Sequence, residues 1–129
     1  MLIVLLSSMA MASCDGSGPV TTIDVVLTDF QFSPNTFTVP AGEEITFNSK
    51  NYGAVVHDFV IMKLGTNAGD SFDEADAANV YWEVELKPAG EINTSFAAPS
   101  EPGEYQIVCR VAGHIMAGMV GKLIVVADE

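Results

Sequence analysis

Residues 22–47, TIDVVLTDFQFSPNTFTVPAGEEITF, decide the fold. At the start of this stretch Ile23, Val25 and Leu27 occupy every second position, and such alternation indicates a β-strand with one buried face. The same period returns on both sides of Pro40-Ala41-Gly42, whose proline and glycine are typical of a turn. Short alternating runs separated by turns predict an all-β fold.

The same pattern continues through the rest of the chain. The β-rich runs that remain are residues 56–62, 80–86, 92–96, 105–109 and 120–126. About eight short strands at this spacing predict a Greek-key β-sandwich over residues 21–129. The chain has 129 residues, of which 49% are hydrophobic, and this is enough for one domain with a buried core.

One segment, residues 65–79, breaks the alternation and carries few apolar side chains. Its carboxylates are Asp70, Asp73, Glu74 and Asp76. Oxygen ligands of this kind suit Ca²⁺, but the regular ligand spacing of an EF-hand loop is missing. The segment is therefore predicted to be a solvated surface excursion with about one helical turn.

The charge balance is strongly acidic, with 17 Asp and Glu against 5 Lys and Arg and a formal charge of −12. This balance excludes nucleic acid as a partner, because phosphates need a basic surface. A neutral or basic partner is expected instead, attracted by a field that salt would weaken. Residues 111–121 contain no formally charged side chain, so the acidity lies outside that segment.

Residues 1–13 are uncharged and end in small side chains directly before Cys14. They are too few to span a bilayer, which takes about 20 apolar residues, and they predict a cleavable signal peptide. Met11-Ala12-Ser13-Cys14 resembles a bacterial lipobox, which implies that Cys14 is lipidated and that residues 14–20 form a tether. The alternatives are an unmodified Cys14 after ordinary cleavage, or a disulfide between Cys14 and Cys109. We expect an exported protein, held in the periplasm or at the outer face of the cytoplasmic membrane by a lipid anchor alone.

The segment CRVAGHIMAGM, residues 109–119, places a thiol, an imidazole and a thioether at five-residue intervals: Cys109, His114 and Met119. The other histidine of the chain is His57. Two imidazoles, a thiolate and a thioether are the donors of a trigonal His₂Cys site with a weak axial Met, which is the pattern of blue copper proteins.

Each of these donors also has a simpler structural interpretation. A histidine in an apolar run, as His57 is, lies more often in the core than on a metal. Cys109 at the end of a strand could be an inert buried thiol. Met119 could fill the core, and Met116 is a second thioether close to His114.

The chain resembles the cupredoxins, the small blue copper proteins, and among them the auracyanin, halocyanin and azurin-like members. The motifs that carry the resemblance are residues 30–34, 37–42, 45–47 and 57–59 in one block, and residues 109, 113–114, 117–119 and 121–123 in a second. The resemblance implies one type 1 copper held by four ligands, which are His57, Cys109, His114 and Met119. It also implies that Asp58 fixes the loop near the Cys109 sulfur through hydrogen bonds.

Three positions depart from the family pattern, and the first is Asp58, which stands where azurin has asparagine. Ala112 stands where many cupredoxins have proline, and this is expected to loosen the ligand loop slightly. Val56 stands where azurin has the glycine whose carbonyl is an extra weak ligand, so that ligand is not expected here.

A member of this family is expected to shuttle one electron between membrane-associated redox partners, such as a cytochrome, an oxidase or a photosynthetic or respiratory complex. We expect a monomer that docks through an uncharged patch around His114, made of Val111, Ala112, Ile115, Met116 and Ala117. The alternatives are a cell-envelope protein that binds and delivers copper, and a metal-free interaction domain.

An enzyme is not expected from this sequence. Two histidines are too few for a trinuclear copper centre, and one cysteine in the ligand loop is too few for a binuclear one. A zinc site is disfavoured as well, because methionine is a poor ligand for zinc.

Overall fold

The structure, a computed structural model, describes residues 18–128, which form nine β-strands and one helical turn. In chain order the elements are β1 (Thr22–Thr28), β2 (Gln31–Ser33), β3 (Thr36–Pro40), β4 (Glu44–Asn51), β5 (His57–Met62), α1 (Glu74–Ala77), β6 (Val80–Leu86), β7 (Glu91–Ala97), β8 (Gly103–Val108) and β9 (Val120–Val126). Nowhere in this range is a helix long and apolar enough to cross a membrane. The predictions for residues 1–13, for Cys14 and for most of the tether 14–20 lie outside the described residues.

The strands form two sheets that enclose the core between them. One sheet has the order β2-β1-β4-β7 and the other the order β3-β9-β8-β5-β6. β1 runs parallel to β4 and β3 runs parallel to β9, whereas the other paired strands are antiparallel. The predicted all-β sandwich is confirmed, with nine strands in the described range instead of about eight. The additional strand is β2, whose three residues are too short to show an alternating pattern.

The core contains the residues that the alternation predicts to point inward. In β1 these are Ile23, Val25 and Leu27, each at most 3% exposed. An aromatic contact joins the two sheets, since Phe47 of β4 and Phe59 of β5 lie 4.9 Å apart between ring centroids. Complete burial of a side chain of this size contributes roughly 1.5–3 kcal/mol.

Strand β5 is buried along its whole length instead of alternating. One face points into the core through Phe59, and the other carries Val60 and Met62 into a second apolar cluster with Ala68. Ala68 belongs to the acidic excursion, so residues 65–79 cover the outer face of β5.

The helical turn predicted for this excursion is α1. Asp73 caps it, because its carboxylate accepts the N–H groups of Ala75 and Asp76 while the Asp76 carboxylate accepts the N–H of Asp73. These two carboxylates are therefore used on the backbone. Among the described residues no group of carboxylates is placed to hold a metal ion, and calcium binding receives no support.

Candidate metal centre

His57 and Cys109 come together through the pairing of two strands. His57 is the first residue of β5, and Cys109 directly follows the last residue of β8. The two strands are antiparallel neighbours, with Val60 opposite Val108. The start of β5 and the end of β8 therefore lie at the same end of the sheet.

Three donor atoms converge at this end. The Cys109 sulfur lies 3.3 Å from His114 Nδ1 and 3.9 Å from His57 Nδ1, and the two Nδ1 atoms are 3.2 Å apart. Nitrogen and sulfur ligands at about 2.0–2.3 Å from one ion are roughly 3–4 Å from each other, so this spacing fits a shared metal. Within residues 18–128 this is the one group of three or more His, Cys, Asp or Glu side chains that fits a metal ion.

The site is shielded from water. His57 and Cys109 have no exposed surface, and His114 is 7% exposed. Burial lowers the pKa of His114, and the neighbouring His57 lowers it further. His114 is therefore held in the neutral form, which is the form that binds metals.

Opposing effects act on the Cys109 sulfur, and their net result favours the thiol. Burial raises the pKa of the Cys109 thiol, while the backbone N–H groups of Asp58 and Val111 favour the thiolate. The Asp58 nitrogen lies 3.4 Å from the sulfur, so Asp58 contacts it through its backbone and not through its carboxylate. A bound cation would displace the thiol proton, because the thiolate is the form that ligates metals.

The Asp58 carboxylate is buried and lies 3.3 Å from Arg110 Nε through its Oδ2. Burial raises the pKa of Asp58, and the guanidinium partly offsets this effect. Arg110 also pairs with Glu83 on β6. The residue that follows Cys109 is thus tied to both β5 and β6.

The loop from Cys109 to Met119 is closed by its own backbone. The N–H of Met119 donates to the carbonyl of His114 at 3.0 Å, and the N–H of Cys109 donates to the carbonyl of Met119 at 3.2 Å. Gly113 and Gly118 have φ angles of 83° and 99°, at which any side chain would be strained. These features bring Met119 back beside Cys109.

The two methionines of this loop have different surroundings. Met119 is completely buried in the cluster that contains Cys109, whereas Met116 is 77% exposed. The buried thioether is the one available as a fourth donor. The predicted docking patch lies on the outside: Ala112, Met116 and Ala117 are exposed, and Val111 and Ile115 are half-buried.

The turn between β1 and β2 also contacts the site, which the sequence did not indicate. Asp29 Oδ1 lies 2.7 Å from His57 Nε2, and Asp29 Oδ2 accepts the N–H of Ala54 at 2.9 Å. These two hydrogen bonds, that of Ala54 first, lower the pKa of Asp29. The ring of Phe30 meets that of His114 edge-on, at 4.8 Å between centroids. Phe30 is one of the residues that carry the resemblance to the cupredoxins, but its position in the sequence, far from the proposed ligands, did not predict a contact with His114.

Asn51 is a further residue of the site that the sequence did not indicate, and it is completely buried. Its side-chain amide donates to the carbonyls of Val55 and Leu86 at 2.8 and 3.0 Å, and its oxygen accepts the N–H of Gly53 at 2.8 Å. Asn51 therefore fixes the loop that leads into His57.

Comparisons by sequence and by structure agree with one another. A family model described as a cupredoxin-like domain matches residues 1–125. The copper-resistant cuproprotein CopI of Rubrivivax gelatinosus is 34% identical over 116 residues, which cover 81% of this chain and 66% of CopI. Auracyanin-A of Chloroflexus aurantiacus is 35% identical over 126 residues, which cover 85% of this chain and 76% of auracyanin-A. The solved structure of reduced auracyanin from Roseiflexus castenholzii matches with a TM-score of 0.70 and 32% identity, over 84% of this chain and 99% of that one.

Proposed function

This chain belongs to the cupredoxin-like family, and on that premise we propose that it is an electron-transfer protein that carries one electron at a single type 1 copper. The resemblance drawn from the sequence is thereby confirmed at the level of the family. The ligands that we propose are His57, Cys109, His114 and Met119. The observation that carries the proposal is that the donor atoms of the first three, all buried, lie within 4.8 Å of one another.

The donor set favours copper over other metals. Thiolate and thioether are soft ligands that select copper, and imidazole also suits it. Zinc would accept the two imidazoles and the thiolate, but structural zinc sites take a fourth nitrogen, sulfur or carboxylate ligand from His, Cys or an acidic residue. When bound here, copper would supply a one-electron couple between Cu(II) and Cu(I).

The contribution of the chain is to hold the donors fixed and dry. Two neighbouring strands anchor His57 and Cys109, and the backbone hydrogen bonds of the ligand loop hold His114 and Met119. A preorganised site needs little rearrangement when its charge changes, and this favours fast electron exchange.

The partner surface that we propose is the uncharged patch around His114. Its exposed members, Ala112, Met116 and Ala117, lie within three residues of His114 along the chain, and that histidine is 7% exposed. Phe30 is 44% exposed and packs on the same ring, so it extends the apolar surface. A small apolar face of this kind suits a brief encounter of a monomer with a redox protein, such as a cytochrome, an oxidase or a larger electron-transfer complex.

The proposal is tested by loading the metal-free protein with Cu(II). We expect an intense visible absorption band from the thiolate–copper bond in the wild type and its loss in Cys109→Ser, because a hydroxyl cannot replace the thiolate. Met116→Leu is the matched control in the same loop and is expected to keep the band. A colourless wild-type protein that nevertheless binds copper would rule out the type 1 assignment.

Copper delivery in the cell envelope is the second candidate, and the similarity to CopI supports it. The burial of Cys109 and Met119 argues against it, because a protein that hands over copper is expected to expose its ligands. The two functions are separated by comparing electron exchange with a soluble cytochrome against the release of Cu(I) to a chelator. Rapid release without electron exchange would favour delivery.

We also propose that the protein is exported, that residues 1–13 are its signal peptide and that Cys14 carries the lipid, with residues 14–20 as the tether to a domain over residues 21–129. The burial of Cys109 within the donor cluster weakens the alternative of a Cys14–Cys109 disulfide. Metabolic labelling with a lipid analogue is expected to mark the wild type and not Cys14→Ala. Equal labelling of both would contradict lipidation at Cys14.

A further inference from the structure

The Asp29 carboxylate bridges a proposed copper ligand and the loop in front of it. Its Oδ1 lies 2.7 Å from His57 Nε2, and its Oδ2 accepts the N–H of Ala54 at 2.9 Å. The Asp29 side chain is 31% exposed while that of His57 is completely buried. Asp29 therefore lies between the solvent and the inner histidine.

This contact determines which nitrogen of His57 is free for a metal. Nδ1 faces the site, 3.2 Å from His114 Nδ1 and 3.9 Å from the Cys109 sulfur. Nε2 faces Asp29, and an ionised carboxylate can only accept a hydrogen bond. The proton of the neutral ring is therefore held on Nε2, and the lone pair of Nδ1 points to the other donors.

The space around this hydrogen bond is kept open by Gly53. A Cβ at that position would collide with Asp29 Oδ1 and would lie 2.7 Å from His57 Nε2. Gly53 does not have a positive φ, so its backbone conformation alone would accept another residue. The requirement for glycine comes from the close approach to the Asp29–His57 pair.

We propose that Asp29 is a positioning residue of the copper site, which fixes the tautomer of His57 and, through its negative charge, favours Cu(II) over Cu(I). A carboxylate hydrogen-bonded to a metal-bound imidazole raises the basicity of that ligand, and loss of such a partner typically costs about 10–100-fold in metal affinity. Cu(II) carries the higher charge, so a nearby negative charge stabilises it more than it stabilises Cu(I). This inference rests on the proposed copper site.

Three variants separate this role from a purely structural one. Asp29→Asn keeps an oxygen that can accept the hydrogen bond but removes the charge, and Asp29→Ala removes both. Asp24→Asn is the matched control: Asp24 is also exposed, lies in strand β1, which leads into Asp29, and accepts a hydrogen bond from Asn48 at 2.8 Å. Asp29 follows Asp24 by five positions along the chain, about 16 Å at the rise of an extended strand.

The first measurement is the reduction potential of the copper-loaded proteins, with the visible spectrum as a check on the ligands. We expect Asp29→Asn to shift the preference toward Cu(I) about tenfold, which is about 59 mV for a one-electron couple, with the thiolate band retained. Asp24→Asn is expected to produce less than a third of this shift. Equal shifts in the two variants would overturn the proposal, because the charge would then act only through the net charge of the protein.

The second measurement needs no metal. Long-range nitrogen–proton NMR spectra of the metal-free protein report the tautomer of each histidine. We expect His57 to carry its proton on Nε2 in the wild type and to become a mixture of tautomers in Asp29→Ala. An unchanged tautomer in Asp29→Ala would overturn the positioning role. A wild type that forms no thiolate band would contradict the proposed function alone, since the NMR result would still decide whether Asp29 positions His57.

Discussion

At the scale of single residues, the ligand loop contains two thioethers that are chemically equal and differ only in burial. We expect Met119→Leu to keep copper and raise the reduction potential, because a weak axial donor is lost while the volume of the side chain is conserved. Met116→Leu is the matched control, and its potential is expected to equal that of the wild type, since Met116 is 77% exposed. Redox titration of the copper-loaded proteins makes the comparison. The opposite order of effects would identify Met116 as the axial ligand.

The thiol of Cys109 is expected to make the metal-free protein sensitive to alkali. Burial raises its pKa above the ordinary value of 9.0, so the unfolded chain loses this proton first as the pH rises. The stability that the neutral thiol contributes is fully present below pH 9.0 and declines between that pH and the pKa of the folded state. The slope cannot exceed about 1.4 kcal/mol per pH unit for one proton.

Urea denaturation of the metal-free protein at a series of pH values measures this effect. We expect the free energy of unfolding of the wild type to fall more steeply above pH 9.0 than that of Cys109→Ser, which has no thiol to ionise. The tyrosines and lysines are common to both proteins and cancel in the difference. Parallel curves would show that Cys109 titrates alike in the folded and unfolded chains.

At the scale of elements, the ligand loop depends on glycines whose conformation other residues adopt only with strain. Gly118 has a φ of 99°, and a methyl group added to its Cα would meet no other atom within 4 Å. Gly118→Ala is therefore expected to lower the free energy of unfolding by about 1–3 kcal/mol through backbone strain alone. Because Gly118 lies between His114 and Met119, the visible spectrum of the copper site is also expected to change.

Gly42→Ala is the control for this prediction. Gly42 has a φ of 72°, has the same open surroundings and lies in the turn between β3 and β4, away from the ligand loop. Gly42→Ala is expected to lower the free energy of unfolding to a similar degree and to leave the visible spectrum of the copper site unchanged. Urea denaturation and absorption spectra of both variants test the pair, and an altered spectrum in Gly42→Ala would mean that strain anywhere in the fold reaches the site.

The elements also show how far a sequence predicts this kind of fold. Strands with one covered face, such as β1, were predicted because their burial alternates with a period of two. β5 was found from its β-rich composition, but its burial on both faces depends on residues 65–79 folding over it. β2 was missed because three residues hold only one buried side chain, Phe32.

At the scale of the whole molecule, the proposed ligands and Asp58 were predicted from motifs, whereas Asp29 and Asn51, which hold His57 and the loop before it, were not. β1 and β4 run in parallel with Leu27 opposite Asn51. The turn after β1, which contains Asp29, therefore lies beside the loop that leads from β4 to His57. Nothing in the local pattern of either strand specifies that register. Contacts that depend on the pairing of distant strands become visible only in the folded chain.

The residues of the metal centre are far apart along the chain, so the centre can form only when the strands that carry them have paired. Asp29 and His57 are 28 positions apart, and His57 and Cys109 are 52 apart, so they meet only after their strands have paired. An unfolded chain presents these donors far from one another, and copper therefore binds the native state in preference. At a free-ion concentration of 100 times the dissociation constant, such binding adds about 2.7 kcal/mol to the native state by mass action. A cell short of copper would therefore hold a folded protein that opens more readily.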